Sequence, residues 1–465
     1  MINVYSENGM MKKAWDIFDD IPCRDVVTWN SMMSSCVKHG RHHDALCLFW
    51  SMHHDGISYN DITFVNALDA CSLDRDCEHH HYHGIRKGYE IHGFASCLGF
   101  DDDVMVGNAL ITFYGIKYGD VYGASWVFSH MPQRDVVSWT SMMSSYTRSG
   151  DGEESLHLFY LMHCNTGMKP DKVAYICALD ACANVFALDD GRVIHALIGE
   201  NLVADLGVVL STALVNMYGN CGCLQAAVCV FKTIQPPDLV SWTAMIGAYA
   251  HLGHGEEAFE HFVKMHQEGM KPNQVTYINL LSACALLCAF VEGKIIHACL
   301  IEGGFDSFLE VANALINMYS KCGSVYDALK VFTNLPNKNV VSWTSMLDTY
   351  SSHGYGKDAL QVFRHMQQDG IKPDDVTFVS VLTACSHSGM LQEARETFFS
   401  MSLEHGIMPK SSHYACMIDM FARVGRLDEA ERFISNMPFK CGVVEWMALL
   451  GACKSCGDVR RAEHA

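Results

Sequence analysis

The 465-residue sequence contains no run of about 18 apolar residues, the length a helix needs to cross a bilayer, so no membrane span is expected. Positive charge is also scarce: 33 Lys and Arg stand against 52 Asp and Glu, a formal net charge of −19. Sequence-independent duplex DNA binders carry a basic excess, so that class is disfavoured. Ten prolines and 36 glycines exclude collagen, and 49% hydrophobic residues exclude wholesale disorder. Met1–Asp25 shows neither the parts of a secretory signal nor an Arg/Ser-rich transit peptide. No phosphate-binding glycine loop and no Ser/His/Asp set with a local signature is found, so no enzyme activity and no cofactor are expected. Thiols, by contrast, are plentiful, with 21 Cys beside 26 Met. In a long chain without a secretory signal, reduced and buried thiols are expected.

The sequence repeats itself. Val26-Val27-Thr28-Trp29-Asn30 returns as Val136-Val137-Ser138-Trp139-Thr140, Leu239-Val240-Ser241-Trp242-Thr243 and Val340-Val341-Ser342-Trp343-Thr344. A decayed copy is Val443-Val444-Glu445-Trp446-Met447. The period, about 102 residues, is too long for one helical repeat and divides into three unequal units. In the last cycle these are a first-type unit, 340–374, a middle unit, 375–410, and a short unit, 411–442. The four cycles run 26–135, 136–238, 239–339 and 340–442. Residues 1–25 match the later part of a short unit.

Each unit reads as two helices. Trp343, Met346, Leu347 and Tyr350 recur at helical spacing, Gly354 breaks the run, and Ala359, Leu360, Phe363 and Met366 form a second stripe. Such short amphipathic helices bury their apolar faces only by stacking on neighbours, which predicts an all-α, right-handed superhelical solenoid of helix-turn-helix repeats. The eleventh residue is Cys in every middle unit (Cys71, Cys182, Cys284, Cys385), Cys or Tyr in first-type units and Tyr or Phe in short units. These are expected to be core positions rather than metal ligands.

The three-unit cycle resembles the pentatricopeptide repeat family, in its plant PLS subclass. The carrying residues are the VVSWT…GIKPD units, the DVTF…LTACS units and the NALINMYSKCGSVYDALKVFTNLPNKN short units, and the resemblance covers essentially the whole chain. Residues 443–465 look like the start of the E-like motif of that subclass, and the chain is expected to continue at both ends. Tetratricopeptide repeats share the Ala-x3-Phe feature of Ala359 and Phe363 but do not alternate unit lengths, so a protein-interaction scaffold is the rival reading.

The resemblance implies sequence-specific binding of single-stranded RNA in a mitochondrion or chloroplast, about one base per repeat. It implies a role in specifying C-to-U editing sites, with a deaminase-bearing partner at the C-terminus, or alternatively in RNA stabilisation or processing. The base-reading pairs it implies are Asn30 with Asn60, Asn108 with Asp135, Thr140 with Asp171, Thr212 with Asp238, Thr243 with Asn273, Asn313 with Asn339, and Thr344 with Asp374. In the family's code these give the target C-n-U-G-n-G-A-n-C-G-n-n. Middle units carry Val65, Ile176, Ile278 and Val379 at the first position, and the last short unit carries Ala415 and Gly442, so none is coded. Asp and Asn are also favoured helix N-caps, so any single closing residue has a purely structural explanation. Capping does not explain why first-type and short units carry Asn or Thr where middle units carry Val or Ile.

Two fragments mimic a zinc deaminase: His254-Gly255-Glu256 and Cys453-Lys454-Ser455-Cys456. They sit in different repeats, and Ala452 stands where proline is required, so no metal site is expected. His79, His80, His81 and His83 beside Cys77 fall in the excess length of the first middle unit and are read as an exposed insertion or a gene-model artefact rather than a metal site. His92, His195 and His297 recur at one unit position and are read as repeat residues.

Overall fold

A computed structural model describes residues 1–71, 78–201, 207–438, 446–447 and 450–451, with backbone alone at 78–83 and 201. The side chains of the His79–His83 insertion, Gly442, Cys453, Cys456 and nearly all of the expected E-like segment 443–465 lie outside the described residues. Among the described residues every regular element is a helix, with no strand. They divide into two compact units, Met1–Pro237 and Asp238–Ala465.

Both units are built from helical hairpins. In the second, the leading helices are Leu239–His251, Gln274–Leu287, Leu309–Lys321, Val340–Ser352, Asp375–Ser388 and Ser411–Arg423, each followed by a trailing helix. Leading helices pack on one another in chain order. Trailing helices pack chiefly on their own partner and on the next leading helix. The first unit follows the same plan from Ile2–Glu7 to Gly207–Asn220.

The hairpin Val340–Gln368 shows why the sequence folds this way. Asn339 caps the first helix, its Oδ1 accepting from Ser342 N–H at 3.0 Å. Trp343, Met346, Leu347 and Tyr350 lie on one buried face. Gly354, at φ 76°, supplies the left-handed turn that stops the helix. Ala359, Leu360, Phe363 and Met366 are buried on the trailing helix. Ala45, Ala124, Ala258 and Ala328, which match Ala359, are likewise fully buried, and a larger side chain there would overpack the hairpin.

Short and first-type units are joined by an aromatic staple. Phe18, Phe128 and Phe332 meet Trp29, Trp139 and Trp343 edge-on at 5.1, 4.9 and 4.9 Å. Arg24, Arg134 and Lys338 cap the same phenyl rings at 4.6, 4.8 and 5.1 Å. In units 136–171 and 104–135, each one residue longer than its counterpart in the third cycle, the extra residue is absorbed in a π turn, at Leu161–Asn165 and Thr112–Lys117.

The eleventh-position cysteines, Cys36, Cys71, Cys182, Cys284 and Cys385, are all buried. The general expectation of buried thiols needs correction, because Cys23, Cys47, Cys97, Cys164, Cys229 and Cys288 are exposed. They lie off the apolar stripes, where nothing packs over them. No helix among the described residues is long and apolar enough to cross a membrane.

Candidate nucleic-acid interface

Each closing residue of the coded pairs begins the next leading helix, and all of them are N-caps. Oδ1 of Asn60, Asp135, Asp171, Asp238, Asn273, Asn339 and Asp374 accepts the backbone N–H three residues on, at 2.8–3.1 Å. At Asn60, Asp135, Asp238, Asn273, Asn339 and Asp374 it also accepts the hydroxyl of that residue. Burial opposes ionisation of Asp135, but bonds from Ser138 and Asn108 outweigh it and hold the carboxyl below its ordinary value. The capping explanation is therefore correct as far as Oδ1 goes. It accounts for one terminal atom only. The other, Oδ2 of Asp171 and Asp374 or Nδ2 of Asn60 and Asn273, makes no hydrogen bond among the described residues, and these side chains are exposed or half-exposed.

The first members of the pairs lie one turn into the leading helices. Asn30, Thr140, Thr212, Thr243 and Thr344 are only 5–8% exposed, and Asn30, Thr140, Thr243 and Thr344 are held in the seam between successive leading helices. Two asparagines meet their partners directly: Asn30 Nδ2 donates to Asn60 Oδ1 at 2.8 Å, and Asn108 Nδ2 to Asp135 Oδ1 at 3.1 Å. Two threonines reach theirs through a second hydroxyl: Thr243 to Thr276 at 2.8 Å and on to Asn273, and Thr344 to Thr377 at 2.9 Å and on to Asp374. Thr140 instead donates to Val137 C=O at 3.1 Å in its own helix and makes no hydrogen bond with Asp171. Asn313 and Asn339 are not hydrogen-bonded either. Thr212 and Asp238 belong to the first and second units respectively. Asn30, Asn108 and Asn313 leave Oδ1 buried without a partner, a state that costs about 1–3 kcal/mol until a donor arrives.

Two further sets of residues belong to this surface and escaped the sequence reading. The second residue of every first-type and middle unit is an exposed aliphatic, and Val209 takes that place in one short unit, where the other short units have Met105, Glu310 and Ser412. Val27, Val137, Val173, Val209, Val240, Val275, Val341 and Val376 are each 53–69% exposed, and Ile62 continues the row. In first-type units each lies three residues before the polar reader, on the same face of the helix. Such a row offers the flat face of a base a dry contact beside the polar atoms that meet its edge. Its signal was present in the first-type units, where one of the two adjacent aliphatics that open each unit has no place in a single apolar stripe. The second set is in the middle units, which carry no code of their own. Asn66 and Asn279 donate to the backbone carbonyls of Asn30 and Thr243 at 3.4 and 3.3 Å, bracing the preceding reader.

Between the first leading helices lies a cleft of about 240 Å³ whose walls include Asn30, Asn60, Asn66, Val27 and Ile62, with Lys38 also lining it. Reader, closing residue and aliphatic thus share one cavity. The deaminase-like His254 is elsewhere, an exposed N-cap residue whose Nδ1 lies 3.3 Å from Glu257. His92, His195 and His297 each bond the eleventh-position tyrosine of the next short unit, Tyr114, Tyr218 and Tyr319, at 2.7–2.8 Å.

Comparison with known proteins gives a consistent result. The chain matches the PPR repeat family at residues 24–72, 237–285 and 338–387. It matches the PPR repeat at 1–26, 137–165, 310–340, 376–404 and 412–440. A chloroplastic pentatricopeptide repeat-containing protein of Arabidopsis thaliana is 36% identical over 463 residues, covering 100% of this chain and 56% of the relative. A mitochondrial one from the same plant is 34% identical over 461 residues, covering 98% and 80%. The chain thus spans only part of its curated relatives, 55–64% of three of them. Among solved structures, the maize pentatricopeptide repeat protein PPR10 aligns with 100% of this chain and 77% of its own, at a TM-score of 0.54 and 19% identity. PPR10 in complex with an 18-nucleotide psaJ RNA element aligns at a TM-score of 0.52.

Proposed function

The chain belongs to the pentatricopeptide repeat family, and on that premise we propose that it reads single-stranded RNA in a chloroplast or mitochondrion. The carrying observation is the divided duty of the closing residues. One terminal atom is fixed by the helix cap, and the other is left as a pure acceptor in Asp or a pure donor in Asn. G and U carry a hydrogen on the ring nitrogen of their Watson–Crick edge, whereas A and C carry a lone pair there. Asp therefore suits G or U, and Asn suits A or C. The readers make the second division. A threonine hydroxyl whose proton is already spent accepts from a purine amine. An asparagine with one amide hydrogen bound to its partner retains the other for a pyrimidine carbonyl.

The target is C-n-U-G-n-G-A-n-C-G-n-n, with the aliphatic row supporting the base faces, including those opposite the uncoded middle units. We read the unit plan as that of the PLS subclass, with an array at 26–442 and an E-like motif from 443; the alternation of unit lengths supports this reading. That class specifies sites of C-to-U editing, with the deaminase supplied by a partner docked on the E-like segment. The names of the relatives and the RNA of the PPR10 complex support the organellar setting and the ligand class. The test is a titration with RNA carrying C-n-U-G-n-G-A-n-C-G against a copy with each G changed to C. A preference of about tenfold or more, roughly 1.4 kcal/mol, is expected. Equal binding to both would remove base reading from this chain.

A further inference from the structure

Two units carry the same pair, Thr with Asp, yet are wired differently. At Thr344/Asp374 the third residue of the following helix is Thr377. Its hydroxyl donates to Asp374 Oδ1 at 2.7 Å and accepts the Asp374 N–H at 3.3 Å. Its single hydrogen is spent, so in the 2.9 Å contact with Thr344 the donor must be Thr344. The proton of Thr344 is thereby directed away from any ligand. The pair presents two acceptors, the Thr344 lone pairs and Asp374 Oδ2. At Thr140/Asp171 the third residue is Ala174, which has no hydroxyl. Asp171 Oδ1 is held by one donor, Ala174 N–H, and the Thr140 hydroxyl bonds within its own helix. One rotation frees that proton to point at a ligand.

We propose that the third residue of the helix following a coded pair is a positioning residue that sets the sharpness of base selection, acting through the reader's proton. The inference rests on the RNA-reading function above. Against two fixed acceptors, guanine's ring N–H and amine are both satisfied, whereas adenine's bare ring nitrogen meets a lone pair. Against the unlocked Thr140, adenine is rescued by a rotated hydroxyl that donates to it. The unit at Thr344 therefore rejects adenine more strongly than the unit at Thr140, although the two-residue code assigns both to G. The same lock occurs at Thr243, where Thr276 donates to Asn273 Oδ1 at 2.9 Å, leaving an acceptor beside an amide donor, the pattern that suits adenine.

The chain itself shows that the position tolerates either state. Ala174 is fully buried in a well-formed helix, and Thr63, Thr276 and Thr377 occupy the same place with no exposed surface. The experiment uses the full chain and RNAs with G or A at the fourth or tenth nucleotide of the target, read by Thr140 and Thr344. The wild-type G-over-A ratio is expected to be larger at the tenth. Thr377→Val lowers that ratio about fivefold and leaves the fourth unchanged, Thr377→Ser restores it, and Ala174→Thr raises the ratio at the fourth. A general loss of affinity would move both ratios together. Asp374→Asn separates the two claims. If it shifts preference at the tenth nucleotide toward A while Thr377→Val changes nothing, base reading stands and the lock is overturned. If neither variant alters the ratio, base reading falls and the lock with it.

Discussion

Phe186 ends the Lys172–Val185 helix at φ 56° and ψ 31°, and Cys288 ends Gln274–Leu287 at φ 50°. These are the two non-glycine residues with positive φ among the described residues. The left-handed conformation brings Cβ against the following carbonyl and costs an L-residue about 1–2 kcal/mol. The matching position of the fourth cycle is Gly389, at φ 68°. Phe186 is 72% exposed, so its ring adds little packing. Phe186→Gly is therefore expected to stabilise the protein by up to about 1 kcal/mol, the relief of strain being offset in part by the greater freedom of the unfolded chain. Urea denaturation measures it, and a lower midpoint with unchanged slope would show that the ring packs in a way its exposure belies. Cys288 is the less clean site because its Sγ also bonds Lys321 C=O at 3.4 Å.

At the level of elements, the junction from middle to short units is a histidine–tyrosine pair in three cycles and a phenylalanine pair in the fourth. Phe398 and Phe421 stand where His297 and Tyr319 stand one cycle earlier, and both pack on Phe433. The exchange of both partners together is what a buried polar pair requires, because removing one alone strands the other. Burial depresses the pKa of His92, His195 and His297 and pushes the Tyr319 hydroxyl up to about 12. The carboxylates of Asp101 near His92 and of Asp306 and Asp327 near His297 oppose the depression without cancelling it. A histidine whose folded pKa lies below its unfolded value of about 6.5 takes up its proton more readily when unfolded, so stability is full at neutral pH and declines as pH falls from about 6.5 toward the folded pKa. Asp25, Asp135 and Asp375, whose pKa values are lowered, stabilise the fold throughout this range and lose that contribution only in more acid solution, below the ordinary carboxylate pKa of about 3.9. The thermal midpoint is expected to drop between pH 7.5 and 5.5, with a shallower drop in the His297→Phe, Tyr319→Phe double variant. Identical slopes in the two proteins would assign the effect elsewhere.

Across the whole molecule, the helical class was legible because the apolar residues keep a 3.6-residue period inside an approximately 102-residue cycle, and both periods survive without any knowledge of contacts. The residues that cap each helix were legible too, since Asp or Asn before a helix has one dominant local use. The hydroxyl relay was not. Thr344 and Thr377 are 33 residues apart and are brought together only by the stacking of successive leading helices. The aliphatic row was hidden for a different reason: Val26 and Val27 are alike in hydropathy, and helix rotation alone decides that Val27 faces out. The acidic balance, which argued against nucleic acid, also changes meaning once placed. The leading helices contribute six Lys and Arg (Lys38, Lys117, Arg148, Lys172, Lys321 and Arg423) against eight Asp and Glu, and the closing residues Asp135, Asp171, Asp238 and Asp374 add four carboxylates, so the reading layer is itself mildly acidic and the larger part of the −19 lies elsewhere. A mildly acidic layer binds through base edges and faces more than through phosphates. Each neutralised phosphate on a single strand steepens the plot of log K against log salt by about 0.7, so even if all six cations engaged, the slope would be no steeper than about −4. A titration of the target RNA from 50 to 200 mM salt is expected to fall within that limit. A slope near −8 would mean that phosphates are gripped by cations outside the leading helices, and the interface drawn here would have to be moved.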